Sequence, residues 1–306
     1  MRNLKFDLNV ETNALLCPNP QEFYSKAYIT EDIVNNFRLL PGIKSATKLA
    51  NVLFDDVLKA SNCNFSADTQ NLDAIDIDVC ALSAMAELCR FDLEQSFMAD
   101  WMAKGSNSSF EVPQFMSYYW DEMAKEIGAE VATLRWQGNT GATTSTYIDL
   151  CDGYQVKFAA DSDIVDVSAT ASITTANVLG EMLRVYQAAP VQIQNKIGDL
   201  RFYVSSDIAT AYRFAVASGN TLAYVTKDLD LTFLGIKIVV QEGMSNKKMV
   251  LTLKDNLIFA FDGEGDGKEL KAVNLEDTVA EPLLRTRANL KVGFHYVNPT
   301  EIVYYY

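Results

Sequence analysis

The sequence predicts an α+β fold, and three observations carry that expectation. Two helical patterns of very different length stand out: "VPQFMSYYWDEMAKEIGAEVATLRW", and "TTANVLGEMLRVYQAAP" with Val178, Met182 and Val185 on one side. Short strands follow with period-2 alternation or continuous β-branched runs, as in "LGIKIVVQ", "KMVLTLK", "NLIFAFD" and "LKVGFHYV". The helices and strands interleave without a regular strand–helix–strand rhythm, which argues against a doubly wound parallel sheet.

Composition sets the outer bounds. The chain has 306 residues, 49% hydrophobic and 22% charged, enough for roughly two ordinary domains with a sizeable core. Its formal net charge of −14 disfavours wrapping of nucleic acid and adhesion to anionic membranes. No run of 18 or more apolar residues exists, and the start "MRNLKFDLNVETN" has no apolar signal core, so a cytosolic origin is expected. The five cysteines, Cys17, Cys63, Cys80, Cys89 and Cys151, are scattered and form no C-x-x-C pair, and the expectation is free buried thiols.

Along the chain, residues 1 to about 42 read as an extended, irregular arm. It carries one short helix in "ITEDIVNNFRLL", capped by Thr30 and stopped by Pro41-Gly42. Next, "IKSATKLANVLF" and the alternating "LDAIDIDV" predict a long two-stranded excursion with a wide tip between them. A lone hairpin is marginal in water, so a neighbouring molecule is a candidate support. Leu93, Phe97 and Trp101 then mark a helix face, with Gly105 as its stop. In the long helix Phe115, Tyr119, Met123, Ile127 and Val131 recur every four residues, and Pro113 sits in the first turn. "RFYVSS" predicts a strand, and Ser206 the cap of the helix "DIATAYRFAVASG" that ends at Gly219. The tail has "LKVGFHYV", a break at Asn298-Pro299, and a last strand in "TEIVYYY".

Chemistry-bearing motifs are sparse. In "FAFDGEGDGKEL", Asp262, Glu264 and Asp266 occupy positions 1, 3 and 5 of a calcium loop, and Gly267 occupies position 6. Position 12 is Val273 and the flanks read as strands, so a solvated acidic turn is favoured; a calcium-dependent binding module is the weaker alternative. His295 is the single histidine, which disfavours zinc and a catalytic triad. "GNTGATTS" lacks the G-K-[ST] of a phosphate loop. No catalytic residue and no cofactor is predicted, and the expectation is a structural or binding protein, not an enzyme.

Taken in order, "IDIDVCALSAMAELCRFDLEQSFMADWM", the long helix, "RFYVSSDIATAYRFAVASG", "FLGIKIVVQEGMSNKKMVLTLKDNLIFAFDG" and "LKVGFHYVNPTEIVYYY" resemble the major capsid protein of tailed bacteriophages, the Hong Kong 97-type (HK-97-like) fold. The resemblance implies an N-arm over residues 1–42 and an E-loop over 43–80. It implies a peripheral domain with a spine helix over 81–140, continued at 266–299 with the P-loop. The axial domain would span 141–265, closed by a last strand at 300–306. It further implies a non-enzymatic subunit of an icosahedral head that encloses double-stranded DNA, found in the virion and assembled in the bacterial cytoplasm. An encapsulin-like shell is the alternative with the same fold. Expected partners are further copies in hexamers and pentamers, with portal, scaffolding and decoration proteins; no long charged helical segment precedes the arm, so scaffolding would come from a separate protein. Expected inter-subunit contacts are Lys48, Phe54, Phe65, Ile75 and Ile77 in the E-loop, and Asn274, Glu276 and Asp277 in the P-loop. Some relatives crosslink an E-loop lysine to a neighbour's asparagine; Lys44, Lys48, Lys59 and Asn274 are available, and no carboxylate argues for the bond.

Overall fold

A computed structural model describes residues 17–28, 31–53, 71–89, 113–144, 146–219, 231–262, 270–275 and 279–306. In chain order, helices α1 (Pro20–Tyr28) and α2 (Glu31–Asn36) precede strands β1 (Arg38–Pro41), β2 (Thr47–Leu53), β3 (Asn71–Ile77) and β4 (Cys80–Cys89). The long helix α3 (Pro113–Gln137) follows, then α4 (Tyr154–Ala160), β5 (Val165–Val167), α5 (Val178–Ala188) and α6 (Val191–Gln194). The remaining elements are β6 (Leu200–Val204), α7 (Ser206–Gly219), β7 (Thr232–Phe233), β8 (Ile236–Val240), β9 (Met249–Leu253), β10 (Leu257–Asp262), β11 (Leu270–Asn274), β12 (Leu283–Tyr296) and β13 (Val303–Tyr305).

Three sheets organise these elements. The five-stranded sheet is built on β12, the longest strand: β4 pairs along one edge, and β11 and then β10 along the other, with β1 parallel to β10 outside. The six-stranded sheet runs β5-β13-β9-β6-β8-β7. The third sheet is β2 with β3 alone, as the alternation in "LDAIDIDV" predicts. Helix and strand are interleaved and the sheets mix parallel and antiparallel pairs, so the α+β expectation holds.

Spine helix α3 runs for 25 residues, about 37 Å at 1.5 Å per residue. It lies on the five-stranded sheet through Met116, Trp120, Ala124, Ile127, Val131 and Leu134, all buried, with Tyr119 and Met123 half-buried beside them. The four-residue stripe read from sequence runs onto this face: Tyr119 and Met123 are half-buried, Ile127 and Val131 buried. A step of four advances roughly 400° on a 3.6-residue helix, so a strict four-residue line drifts about 40° per repeat and misses Met116, Trp120, Ala124 and Leu134.

The arm is more ordered than its polar composition suggests. Pro20 opens α1 within the segment expected to be irregular, and its Phe23, Tyr24 and Ala27 are buried against the long helix. The predicted single helix is split: α2 covers only Glu31–Asn36, and "RLLP" becomes β1, paired with β10. Phe37 between them is buried beside Trp136, Tyr154 and Tyr203, with the Arg135 guanidinium 4.8 Å over its ring. The Tyr203 hydroxyl donates to the Asn36 carbonyl at 2.5 Å, tying the arm to the six-stranded sheet.

That sheet is buried on both faces. Leu200, Phe202, Val204, Met249, Leu251, Val303 and Tyr305 pack with helices α5 and α7; the alternate residues Tyr203, Val250 and Tyr304 join the core at the end of the spine helix. Val178, Met182 and Val185 are fully buried, as their spacing predicts. The α7 cap position lies one residue earlier than expected: the Ser205 carbonyl accepts from the Ala209 N–H, while its hydroxyl donates to the Asp207 carboxylate. Two further expectations are corrected. Leu257–Asp262, placed at the end of an axial domain by the sequence, pairs in the five-stranded sheet instead. Cys80 and Cys151 are joined in a disulfide, not free thiols, because the fold brings together positions 71 residues apart that share no sequence spacing; Cys17 and Cys89 are free. The Leu93–Trp101 helix and Cys63 lie outside the described residues.

Candidate assembly surfaces

Among the described residues the β2–β3 hairpin has no third strand. Thr47 to Leu53 pair antiparallel with Ile77 to Asn71, and Lys48 lies directly opposite Asp76, its ammonium 3.4 Å from the carboxylate. Both side chains are exposed, so this pair adds only about 0–1 kcal/mol. The hairpin is anchored at its base. Ile77 is fully buried against Ile258 and Ala260 of β10, with Ile75, Leu49, Leu40, Ile43 and Val79 packed around them. Ile77, expected at a subunit contact, is therefore spent inside its own chain, because the hairpin base folds over the outer face of β10. Lys48 and the half-buried Ile75 remain available. Phe54 and Phe65 lie outside the described residues.

The base is further held by two close approaches. Gly293 of β12 passes against the backbone at Asp78, and the Lys291 ammonium donates to the Lys44 carbonyl at 2.9 Å. Lys291 also lies 3.9 Å from Asp262, whose carboxylate is buried. Asp262, the first residue of the candidate calcium loop, thus faces an ammonium group. Glu264 and Asp266 lie outside the described residues.

Asp262 pairs with Lys291 and Leu270 with Ala288, so the two strands that flank the acidic stretch run in the same direction along one edge of β12. Residues 263–269 lie outside the described residues. Strands β11 and β12 form a hairpin, in which Asn274 pairs with Leu284 and the Leu275 N–H donates to the Leu283 carbonyl at 2.9 Å. Asn274 is half-buried at the root of this hairpin; Glu276 and Asp277 lie outside the described residues.

A surface that sequence reasoning missed is the outer face of the five-stranded sheet. Its inner face carries Leu82, Ala84, Leu88, Leu270, Ala272, Leu284, Ala288 and Leu290. The alternate residues point outward: Met85 is 69% exposed and Val273 42%, beside Lys271, Arg285 and Arg287. They line a shallow concavity of about 460 Å³. Arg285 is paired with Glu87 at 2.5 Å, and Arg287 bonds Ser83 and Asn289. The alternation "ALSAMAEL" in β4 carries the signal, since Met85 falls on its polar face.

Among the described residues no group of three or more His, Cys, Asp or Glu could hold a metal ion, and no helix is long and apolar enough to cross a membrane. His295 sits on the edge of this core with its Nδ1 bonded to the backbone N–H of Tyr296; burial, above all, holds its imidazolium form down.

No protein-family model and no curated protein matches the sequence. Solved structures do match over nearly the whole chain. A subunit of the satellite phage P4 procapsid, which includes the size determination (Sid) protein, is 11% identical, with a TM-score of 0.58 over 94% of this chain and 95% of that one. A capsid chain of an empty GTA particle is 14% identical, with a TM-score of 0.55 over 92% and 89%. A chain of the capsid of Myoviridae phage XM1 is 10% identical, with a TM-score of 0.53 over 89% and 90%. The chain has the Hong Kong 97-type fold of phage capsid subunits.

Proposed function

We propose that this chain is the structural subunit, the major capsid protein, of an icosahedral shell that encloses the double-stranded DNA of a tailed phage. The observation that supports the reading most is the likeness to capsid subunits over about nine-tenths of the chain. Physical features agree with it. A two-stranded hairpin that pairs with no further strand among the described residues is marginal alone and gains from lying on a second copy. Head-to-tail contacts of this kind close rings, here hexamers and pentamers.

In this reading 43–80 is the E-loop, and Lys48, Phe54, Phe65 and Ile75 contact the neighbour. The exposed Asp76 and Asp78 of the hairpin complement Lys271, Arg285 and Arg287 on the outer sheet face of that neighbour. Asn274, Glu276 and Asp277 form the P-loop contact between capsomers. The subunit performs no catalysis. Portal, scaffolding and decoration proteins are the further partners implied, the virion is its location, and the host cytoplasm is where it assembles. An acidic subunit with net charge −14 leaves the genome ungripped and free to leave.

The test is Lys271→Glu combined with Arg287→Glu. The double variant should fold with an unchanged far-ultraviolet spectrum and sediment as unassembled subunits. Lys237→Glu, exposed on the six-stranded sheet, should still assemble. Wild-type shell yield from the double variant would refute the sheet face as a contact.

A further inference from the structure

The hairpin's pose is set at its base, because β2 and β3 pair with no other strand among the described residues. Among the described residues, Ile77 packs on Ile258 and Ala260, Asp78 meets Gly293, and Lys291 donates to the Lys44 carbonyl, all on the five-stranded sheet. One hold is covalent. Cys80, the first residue of β4 and three beyond the end of β3, is bonded to Cys151. Cys151 sits in the neck of the loop that leaves the spine helix. That neck is closed by the Gly153 N–H donating to the Gly138 carbonyl at 2.9 Å, and the Asn139 N–H to the Ile148 carbonyl at 2.8 Å. Neither glycine tolerates a side chain: a Cβ on Gly138 would lie 2.2 Å from the Cys151 carbonyl oxygen, and one on Gly153 2.6 Å from that of Leu134. The bond therefore ties the pivot of the hairpin to the tightly closed loop that follows the long helix.

We propose that Cys80–Cys151 is a redox-conditional latch on the hairpin, open as two thiols in the reducing cytoplasm where the subunit is made and closed once the shell meets oxidising surroundings. The proposal rests on the shell reading for its two environments and on the geometry for its mechanism. Disulfides do not persist in most cytosols. Cys151 is 3% exposed while Cys80 is half-buried, so a small reagent reaches Cys80 first. The Cys80 thiolate attacks a glutathione-type disulfide, forming a mixed disulfide and releasing one small thiolate. The Cys151 thiolate then attacks the Cys80 sulfur, whose bond to the second small thiol breaks. Two protein thiols are oxidised by two electrons, one small disulfide is reduced to two thiols, and the two protons pass to the departing thiolates.

The experiment reads the chain itself, so it does not depend on whether shells form. Intact expressing cells are quenched with N-ethylmaleimide, and the cysteine peptides are mapped. Both Cys80 and Cys151 should be alkylated. The purified chain is then treated with oxidised glutathione, and tryptic cleavage at Lys44 and Lys48 is timed. The Cys80–Cys151 peptide should appear, and cleavage should slow roughly tenfold as local opening of the base is suppressed. Cys80→Ala should keep the fast cleavage with and without oxidant; if it folds poorly, Cys151→Ala gives the same readout. A bond already present in quenched cells, no bond after oxidation, or equal cleavage rates in both states would each overturn the proposal.

Discussion

Gly293 and Asp78 meet backbone to backbone: a Cβ on Gly293 would sit 2.3 Å from the Asp78 carbonyl oxygen and 3.1 Å from the Val79 side chain. This is where the long strand of the five-stranded sheet passes under the pivot of the hairpin. Backbone cannot step aside as a flexible side chain can. Gly293→Ala should therefore destabilise the chain by about 1–3 kcal/mol, the usual cost of overpacking, read as a lower urea midpoint. Gly180, in α5 with open space around its Cα, is the control. Gly180→Ala should raise stability by about 0.5–1 kcal/mol through helix propensity.

The arm docks through one aromatic contact in particular. Trp120 on the spine helix is 2% exposed and meets Phe23 of α1 edge to face, with ring centroids 5.4 Å apart. Trp120→Ala should cost about 3–5 kcal/mol. Tyr118→Ala, two residues away on the exposed side, should change stability by less than about 0.5 kcal/mol. Denaturant titration of the two variants checks the orientation of the helix as well as the value of the contact.

His295 is the single histidine of the chain, so an imidazole contribution to stability near pH 6 comes from it alone. Burial lowers its folded pKa below 6.5, with a smaller opposing effect from the backbone of Tyr296. The unfolded chain then takes up the proton first, so stability is fully present above about pH 6.5 and declines as pH falls towards the folded value. His295→Gln should flatten that part of the profile, measured as melting temperature between pH 7.5 and 5.

Glu181 acts lower on the pH scale. Burial pushes its carboxyl up, but the hydrogen bond from the Thr170 hydroxyl and the paired Arg184 guanidinium work against burial, and the net shift is downward. Its stabilisation is present above the ordinary carboxylate range and is lost as pH falls through the depressed folded value. Glu181→Gln should remove that acid limb and loosen α5 from β13. Hydrogen exchange in 178–188 and 303–305, compared at pH 7 and pH 4, measures it.

Much of this was legible in the residues, and the failures share a cause. The long helix, α5 and the central strands follow from local periodicity, because each buries one face. Phe37, Cys80 and Cys151 did not declare themselves, since what makes them important lies far away in sequence. The arm read as irregular because α1 and β1 are too short to carry a period; Phe23 and Leu39 are ordered by the spine helix and β10, not by their neighbours. The stripe from Phe115 to Val131 identified the helix and meets its buried face at Ile127 and Val131, but misses Trp120 and Ala124. The outer sheet face went unseen because a single Met85 in an alternating strand reads as noise until Arg285 and Arg287 lie beside it.

The measurement that tests the central claim most directly is electron microscopy of the full chain, expressed with a scaffolding protein if one is needed. The account predicts closed icosahedral particles in which the hairpin of each subunit lies across its neighbour. A chain that remains a dispersed monomer under every assembly condition would contradict it.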